Sequence, residues 1–366
     1  MIQDLLDRSS AALGRATTVA AAAAAALGLA ALLVAVAAGF AAPALAALAA
    51  SWLFFAGCAA GGLALAAALR VTGGRWAAGV MTVADASVGF FLPALLVLAV
   101  LVVSAHGFVP WVQEGEHRFA TGLVLRQLAA SALLFGSGAR FLSRARRGEP
   151  ALRVGRAGAL YLFLYALVLS LWAYDFAIQL DEGPSITVLP AFYFMGAFLS
   201  GVAWVGLVTA LRGADDPDTR HDVGKLLFGL LILWSYLLWS MFLPTWYGNV
   251  PEESAALLAR WRAPWKALSI AVLVLVSAGP FWLLFAEPLK RRRATLAAGA
   301  GAVLLGLLAE RFLLVVPSLA LPGGSAAVAL GVLVAAGMLG IFLLSVGSRL
   351  GASGFVAELG PRAPGG

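Results

Sequence analysis

Few residues in this chain have the chemistry to hold a metal or to act as nucleophiles. There are three histidines (His106, His117 and His221) and one cysteine, Cys58. Cys58 sits inside an apolar run, so no disulfide, iron–sulfur cluster or cysteine zinc site is expected. The histidines fall at the ends of apolar runs, and none lies mid-run opposite another. A bis-histidine haem needs ligands that project into a bundle core. The expectation is a chain with no covalent cofactor and no metal ligation, so any redox centre it served would sit on partner subunits. The remaining candidates are ionisable side chains inside apolar runs, chiefly Asp175, Glu310, Asp85 and Arg126.

The elements that must position them follow from composition. Of 366 residues, 62% are hydrophobic and 12% charged, and the mean hydropathy is +0.95. A globular domain carries roughly 25% charge to keep its surface wet. This composition excludes a soluble enzyme, a disordered chain and a secreted disulfide scaffold, and points to an integral membrane protein. A helix needs about 20 apolar residues to cross roughly 30 Å of hydrocarbon. The runs 17–41, 44–69, 82–105, 121–142, 157–178, 187–211, 224–247, 266–286, 295–316 and 326–348 meet that length. They are continuous rather than alternating, which excludes an outer-membrane barrel. The first run is too long for a signal peptide and is read as a retained helix.

The predicted fold is therefore all-α: a ten-helix membrane domain over 17–348, a cytoplasmic segment 1–16 and a flexible cytoplasmic tail 349–366. Between Arg15 and Arg70 there is no ionisable residue. The first two spans thus read as a peripheral helix pair beside eight core helices, which form two four-helix bundles. Arg118, Arg126, Arg260, Arg262, Lys266 and Arg311 fall on one side, and the other 19 of 25 Lys and Arg on the opposite side. By the positive-inside rule both termini are cytoplasmic, in agreement with an even number of spans. The net charge of +7 reflects this topology and contact with the lipid bilayer, not nucleic acid.

Charges at membrane depth face a protein interior or a water-filled cavity, so each is a functional candidate. At 1.5 Å per residue, Asp175 lies about 27 Å and Glu310 about 22 Å along outward-running helices. Arg126 enters from the outer side, and His106 ends the third span at the same level. Together they suggest an outward-opening polar pocket or proton relay with Arg126 pairing one carboxylate. The plainer alternative is interfacial charge that snorkels to water. On the inner side Asp85 is either a relay acid or an interfacial carboxylate meeting Arg70 or Arg75. Asp222, Lys225, Tyr236 and Ser240 share a helical stripe on the seventh span. That stripe either passes protons or bonds neighbouring helices. Asp222 is also a candidate helix N-cap. Between the seventh and eighth spans, Gly248 to Trp265 reads as a short interfacial helix begun by Pro251 and anchored by Trp261 and Trp265.

Three blocks carry a resemblance. The first runs from His221-Asp222 with Lys225-Leu-Leu-Phe228 to Trp246-Tyr247-Gly248-Asn249 and Pro251-Glu252-Glu253. The second is Trp172-Ala-Tyr-Asp175-Phe with Phe192-Tyr193-Phe194-Met-Gly196. The third runs from Pro280-Phe281 to Leu289-Lys290-Arg291. Over roughly residues 100 to 317 these resemble the ActF-like quinone-binding subunits of bacterial alternative complex III, a quinol:cytochrome c oxidoreductase. Those subunits are members of the polysulfide reductase NrfD-like membrane family. The resemblance implies two four-helix bundles with an extra helix pair, in the bacterial inner membrane. Implied partners are an NrfD-like paralogue (ActC), a periplasmic iron–sulfur protein, and multihaem and monohaem cytochromes c. The ligand implied is quinone or quinol, with proton half-channels as a further role. By this likeness Asp175 takes the acidic position of the fifth-span motif, and Asp222 and Lys225 the start of the seventh span. The ninth span reads Leu308-Ala-Glu310-Arg311-Phe312, where Arg311 is placed to neutralise Glu310. Two other functions fit the composition: a structural scaffold of the same complex, and a stand-alone secondary transporter. The latter calls for paired discontinuous helices, which the prolines do not supply.

Overall fold

A computed structural model describes residues 2–74, 78–113, 117–180, 187–212, 216–319 and 324–353. Ten helices are long and apolar enough to cross a membrane: α1 (Arg15–Ala37), α2 (Ala41–Val71), α3 (Ala78–Val103), α4 (Thr121–Arg146), α5 (Ala151–Leu180), α6 (Leu189–Leu211), α7 (Pro217–Gly248), α8 (Lys266–Phe285), α9 (Arg293–Leu319) and α10 (Ala326–Ala352). They match the ten predicted runs one for one. The described residues contain no strand. Arg75, Trp76, Asp181, Asp215 and Arg362 lie outside the described residues, as do most of the predicted tail and the middle of the loop after His106.

Helices α2–α5 pack as one four-helix bundle and α6–α9 as a second, and the two meet through α2 against α6 and α9. Both bundles run in the same order and sense along the chain. The peripheral pair is α1 with α10, which corrects the expected pair of the first two spans. The apolar window of α2 is 94% buried against 17% for α1. Lipid is as apolar as a protein core, so hydrophobicity does not sort helices inside a membrane; close packing of small residues does. At the α2–α6 crossing the backbones touch. A Cβ on Gly61 would strike the carbonyl oxygen of Ala197, and one on Gly201 would strike the backbone of Gly62. The α1–α10 crossing is as tight, since a Cβ on Gly28 would stand 2.5 Å from the Cα of Gly337. The chain before α1 forms an amphipathic helix, Ile2–Leu13, which packs on α10 with Ser9 Oγ donating to the Leu344 carbonyl at 2.9 Å.

Helix α7 begins seven residues before the predicted run, and its N-cap is Asp216 rather than Asp222. Pro217 fixes φ at the first helical position and has no N–H to satisfy. The Asp216 carboxylate accepts from Asp218 N at 3.0 Å and Thr219 N at 3.1 Å. The Thr219 hydroxyl and these amides hold it below the usual carboxylate range. A depressed carboxylate stabilises the fold above its unfolded pKa, and that contribution fades as pH falls through the folded value. Asp216→Ala is expected to cost about 1 kcal/mol. Thermal unfolding should show this near neutral pH, with the gap to wild type closing on acidification below the carboxylate range.

Helix α8 carries a π turn, Leu273–Ala278, just before Pro280. Proline removes an intrahelical donor, and a π turn is one of the ways a helix accommodates this. Beyond α7, the predicted interfacial helix is present as Pro251–Arg260 with proline at its start. Arg260 fastens it to the end of α9: Nε donates to the Leu313 carbonyl at 2.9 Å, and Nη2 to Ser318 Oγ at 2.9 Å. A cation on the last carbonyls of α9 also opposes its helix dipole.

Candidate functional site

The first bundle brings Asp175 and Arg126 together. Leu123, Gln127, Ser131 and Leu134 form the buried face of α4, spaced by four, four and three as one helical stripe requires. Gln127 therefore points at α5. Its Nε2 donates to Asp175 Oδ2, and at 3.4 Å to the Leu171 carbonyl. Arg126 Nη2 meets Asp175 Oδ1 at 2.5 Å. The Asp175 side chain is fully buried, whereas that of Arg126 is 45% exposed on the outside of the bundle. The site thus joins a buried carboxylate to the exposed surface of the bundle through one guanidinium. Gln127 Oε1 has no donor among the described residues. Turning the amide around would set its oxygen against the carboxylate, so the carboxylate fixes this orientation. The result is a buried acceptor with no donor, beside a carboxylate whose two oxygens are both engaged.

Aromatic rings fix the floor of this site. Trp172 Nε1 donates to Ser131 Oγ at 3.0 Å, Trp52 Nε1 to the Ala94 carbonyl at 2.7 Å, and the two indoles lie 4.6 Å apart. Gln127 and Ser131 were absent from the sequence reading. The buried positions of α4, counted in steps of four and three from Leu123, were the signal that would have found them.

The second bundle holds its own charged pair. Glu310 and Arg311 are both buried on α9, with Arg311 Nη1 3.1 Å from Glu310 Oε1 and 3.0 Å from Oε2. Only the first contact has hydrogen-bond geometry, so Oε2 keeps a lone pair unmet. The guanidinium also donates to the Tyr193 carbonyl at 3.3 Å and lies 4.2 Å from the centre of the Tyr193 ring. Gly196 makes room for it, because a Cβ there would stand 2.8 Å from Arg311 Nη2. Tyr193 in turn donates its hydroxyl to the Leu53 carbonyl at 2.9 Å, which ties the pair to α2. No hydrogen bond or ion pair among the described residues links Glu310 to Asp175 or Arg126. The two outer acids therefore occupy separate sites, not the single pocket expected.

The other candidates disperse. Asp85 is held bidentate by Arg70, both contacts at 2.7 Å, near the ends of α2 and α3. His106 is exposed on a turn after α3. The stripe on α7 faces away from the bundle: Asp222 and Lys225 pair with each other at 2.7 Å in the open, and Tyr236 is 64% exposed. Ser240 donates back to the Tyr236 carbonyl at 2.9 Å. These contacts place the stripe on the outside of the bundle and not toward its interior. The inward face of α7 is instead Val223, Leu227, Leu231 and Trp234. No group of three or more His, Cys, Asp and Glu among the described residues is placed to hold a metal ion.

The family model described as "Polysulphide reductase, NrfD" matches residues 182–323. Those residues carry α6 to α9, the whole of the second bundle. In this stretch the chain is similar to a family of multi-pass membrane proteins that work within multisubunit respiratory complexes. Glu310, Asp222, Lys225, Tyr236 and Ser240 lie inside the matched stretch, while Asp175, Arg126, Asp85 and His106 lie before it. No curated protein matches the chain.

Proposed function

We propose that this chain is an integral membrane subunit of a quinol-oxidising respiratory complex, and that it borders the quinone pool at the Asp175 site. The observation that carries this reading is the link from the surface of the helix bundle to a buried carboxylate. A quinol diffusing in the bilayer reaches Arg126 at the surface, and behind it stand the Asp175 carboxylate and the unfilled acceptor on Gln127. Quinol oxidation releases protons, so a useful base must lie within about 3 Å of the ring hydroxyl. The similarity of α6–α9 to the NrfD family supports membership of such an assembly. The alternative complex III type is the assembly favoured by the sequence motifs. It places electron-carrying iron–sulfur and haem centres on periplasmic partners and both termini of this chain in the cytoplasm. The chain itself contributes no metal ligand set in this reading, and its acids carry protons.

The test is Asp175→Asn in the intact complex, following quinol:cytochrome c turnover and proton release. Loss of a positioned base is expected to slow turnover by about 10²-fold or more, with assembly unchanged. The paired arginines at both acids favour a second reading, a scaffold subunit whose ion pairs only hold helices together. It predicts unaltered turnover and proton release in the same variant, and that outcome would remove Asp175 from the chemistry.

A further inference from the structure

Three side chains of the second bundle meet around one guanidinium and leave two polar atoms unmatched. Glu310, Arg311 and Trp234 are 5%, 1% and 1% exposed. An ionised carboxylate offers about four lone-pair sites. That of Glu310 accepts a single hydrogen bond among the described residues, from Arg311 Nη1 to Oε1. Its other oxygen, Oε2, lies 3.0 Å from the same nitrogen without hydrogen-bond geometry and is left with no donor. The carboxylates of Asp175 and Asp85 differ, because each is met on both oxygens: Asp175 by Arg126 and Gln127, Asp85 twice by Arg70. A buried ion pair repays its desolvation only when further hydrogen bonds satisfy the remaining lone pairs. Glu310 Oε2 therefore calls for a donor.

Helix α7 brings up a group with the opposite need. Trp234 Nε1 is buried and has no acceptor among the described residues. The indoles of Trp52 and Trp172, equally buried in the first bundle, each have one. Trp234 borders the same pair, since a Cβ on Gly196 would stand 2.8 Å from Arg311 Nη2 and 3.5 Å from Trp234 Nε1. Indole and guanidinium both only donate, so neither can satisfy the other. What is missing is a small group that accepts from an indole N–H and donates to a carboxylate. A quinone carbonyl accepts but cannot donate, and a site whose residues are at most 5% exposed shuts out a ring. Water does both, and buried waters sit where they complete polar groups that the protein leaves unmatched. We propose that the second bundle binds an ordered water that donates to Glu310 Oε2 and is joined to Trp234 Nε1, directly or through a second water. The water so held links α7 to α9, which share few direct contacts. This proposal stands apart from the reading of the Asp175 site.

A density map of the full-length chain, in its complex or bound to an antibody fragment, at a resolution that shows ordered water, tests it. Wild type should show a water peak within about 3.2 Å of Glu310 Oε2, hydrogen-bonded onward to Trp234. Glu310→Met with Arg311→Met removes the acceptor without stranding a charge, and the peak should be lost. Should that double variant fail to fold, Trp234→Phe drops the indole donor and should weaken the peak relative to ordered waters elsewhere in the map. Absence of a peak beside Oε2 in wild type, a direct bond between Trp234 and Glu310, density for a larger molecule, or a peak unchanged in the variant would each overturn the proposal.

Discussion

Arg311→Ala is expected to lower stability by about 3–5 kcal/mol, the range for removing one partner of a buried ion pair. Arg311 is 1% exposed and Glu310 5%, so solvent cannot take the place of the lost guanidinium. The substitution removes three things at once: the counter-charge of Glu310, the donor to the Tyr193 carbonyl, and the cation over the Tyr193 ring. It also leaves a void beside Gly196, which was kept small for that side chain. The measurement is reversible unfolding of the purified chain in mixed micelles. Removing both charges with Glu310→Gln and Arg311→Met should be milder than Arg311→Ala alone, because no unpaired charge is left behind. A loss below about 1 kcal/mol for Arg311→Ala would mean that the pair is not buried as described.

Arg126→Ala is the counterpart in the first bundle, and the expected loss is smaller, about 2 kcal/mol. The guanidinium is 45% exposed, so it falls between a surface pair worth under 1 kcal/mol and a buried one. Gln127 still donates to Asp175 after the change. In an Asp175→Asn background the same substitution should cost under about 1 kcal/mol, since the charge it compensates is already gone. That double-mutant cycle isolates the pair. Equal costs in the two backgrounds would show that Arg126 stabilises through its stem and not through Asp175.

The spans were legible because membrane thickness sets a length that ten runs of this sequence satisfy. The identity of the peripheral pair was not. Both α1 and α2 are alanine-rich and carry no charge between Arg15 and Arg70, and in a membrane that composition suits a lipid-facing helix and a tightly packed one equally. What separates them is a few glycines at crossings, Gly57 and Gly61 in α2 against Gly28 in α1, whose partners lie far along the chain. That Arg126 pairs one of the two carboxylates was legible as a charge balance between helices, and the structure makes Asp175 the partner. Gln127 was not, because an uncharged amide next to an arginine attracts no notice until the buried face of α4 is counted out. The α7 stripe stayed open between two readings because helical spacing shows that residues share a face and not which way that face looks. Asp216 was overlooked as a cap because the apolar run begins two turns later than the helix.

The tight crossing of Gly28 on Gly337 carries a consequence for biogenesis. The two residues are 309 positions apart, and α1 touches little else in the finished protein. A ribosome adding 5–20 residues per second needs roughly 15–60 s to make that interval. For that time the first span waits in the bilayer without its permanent neighbour, and it docks only when the last one emerges.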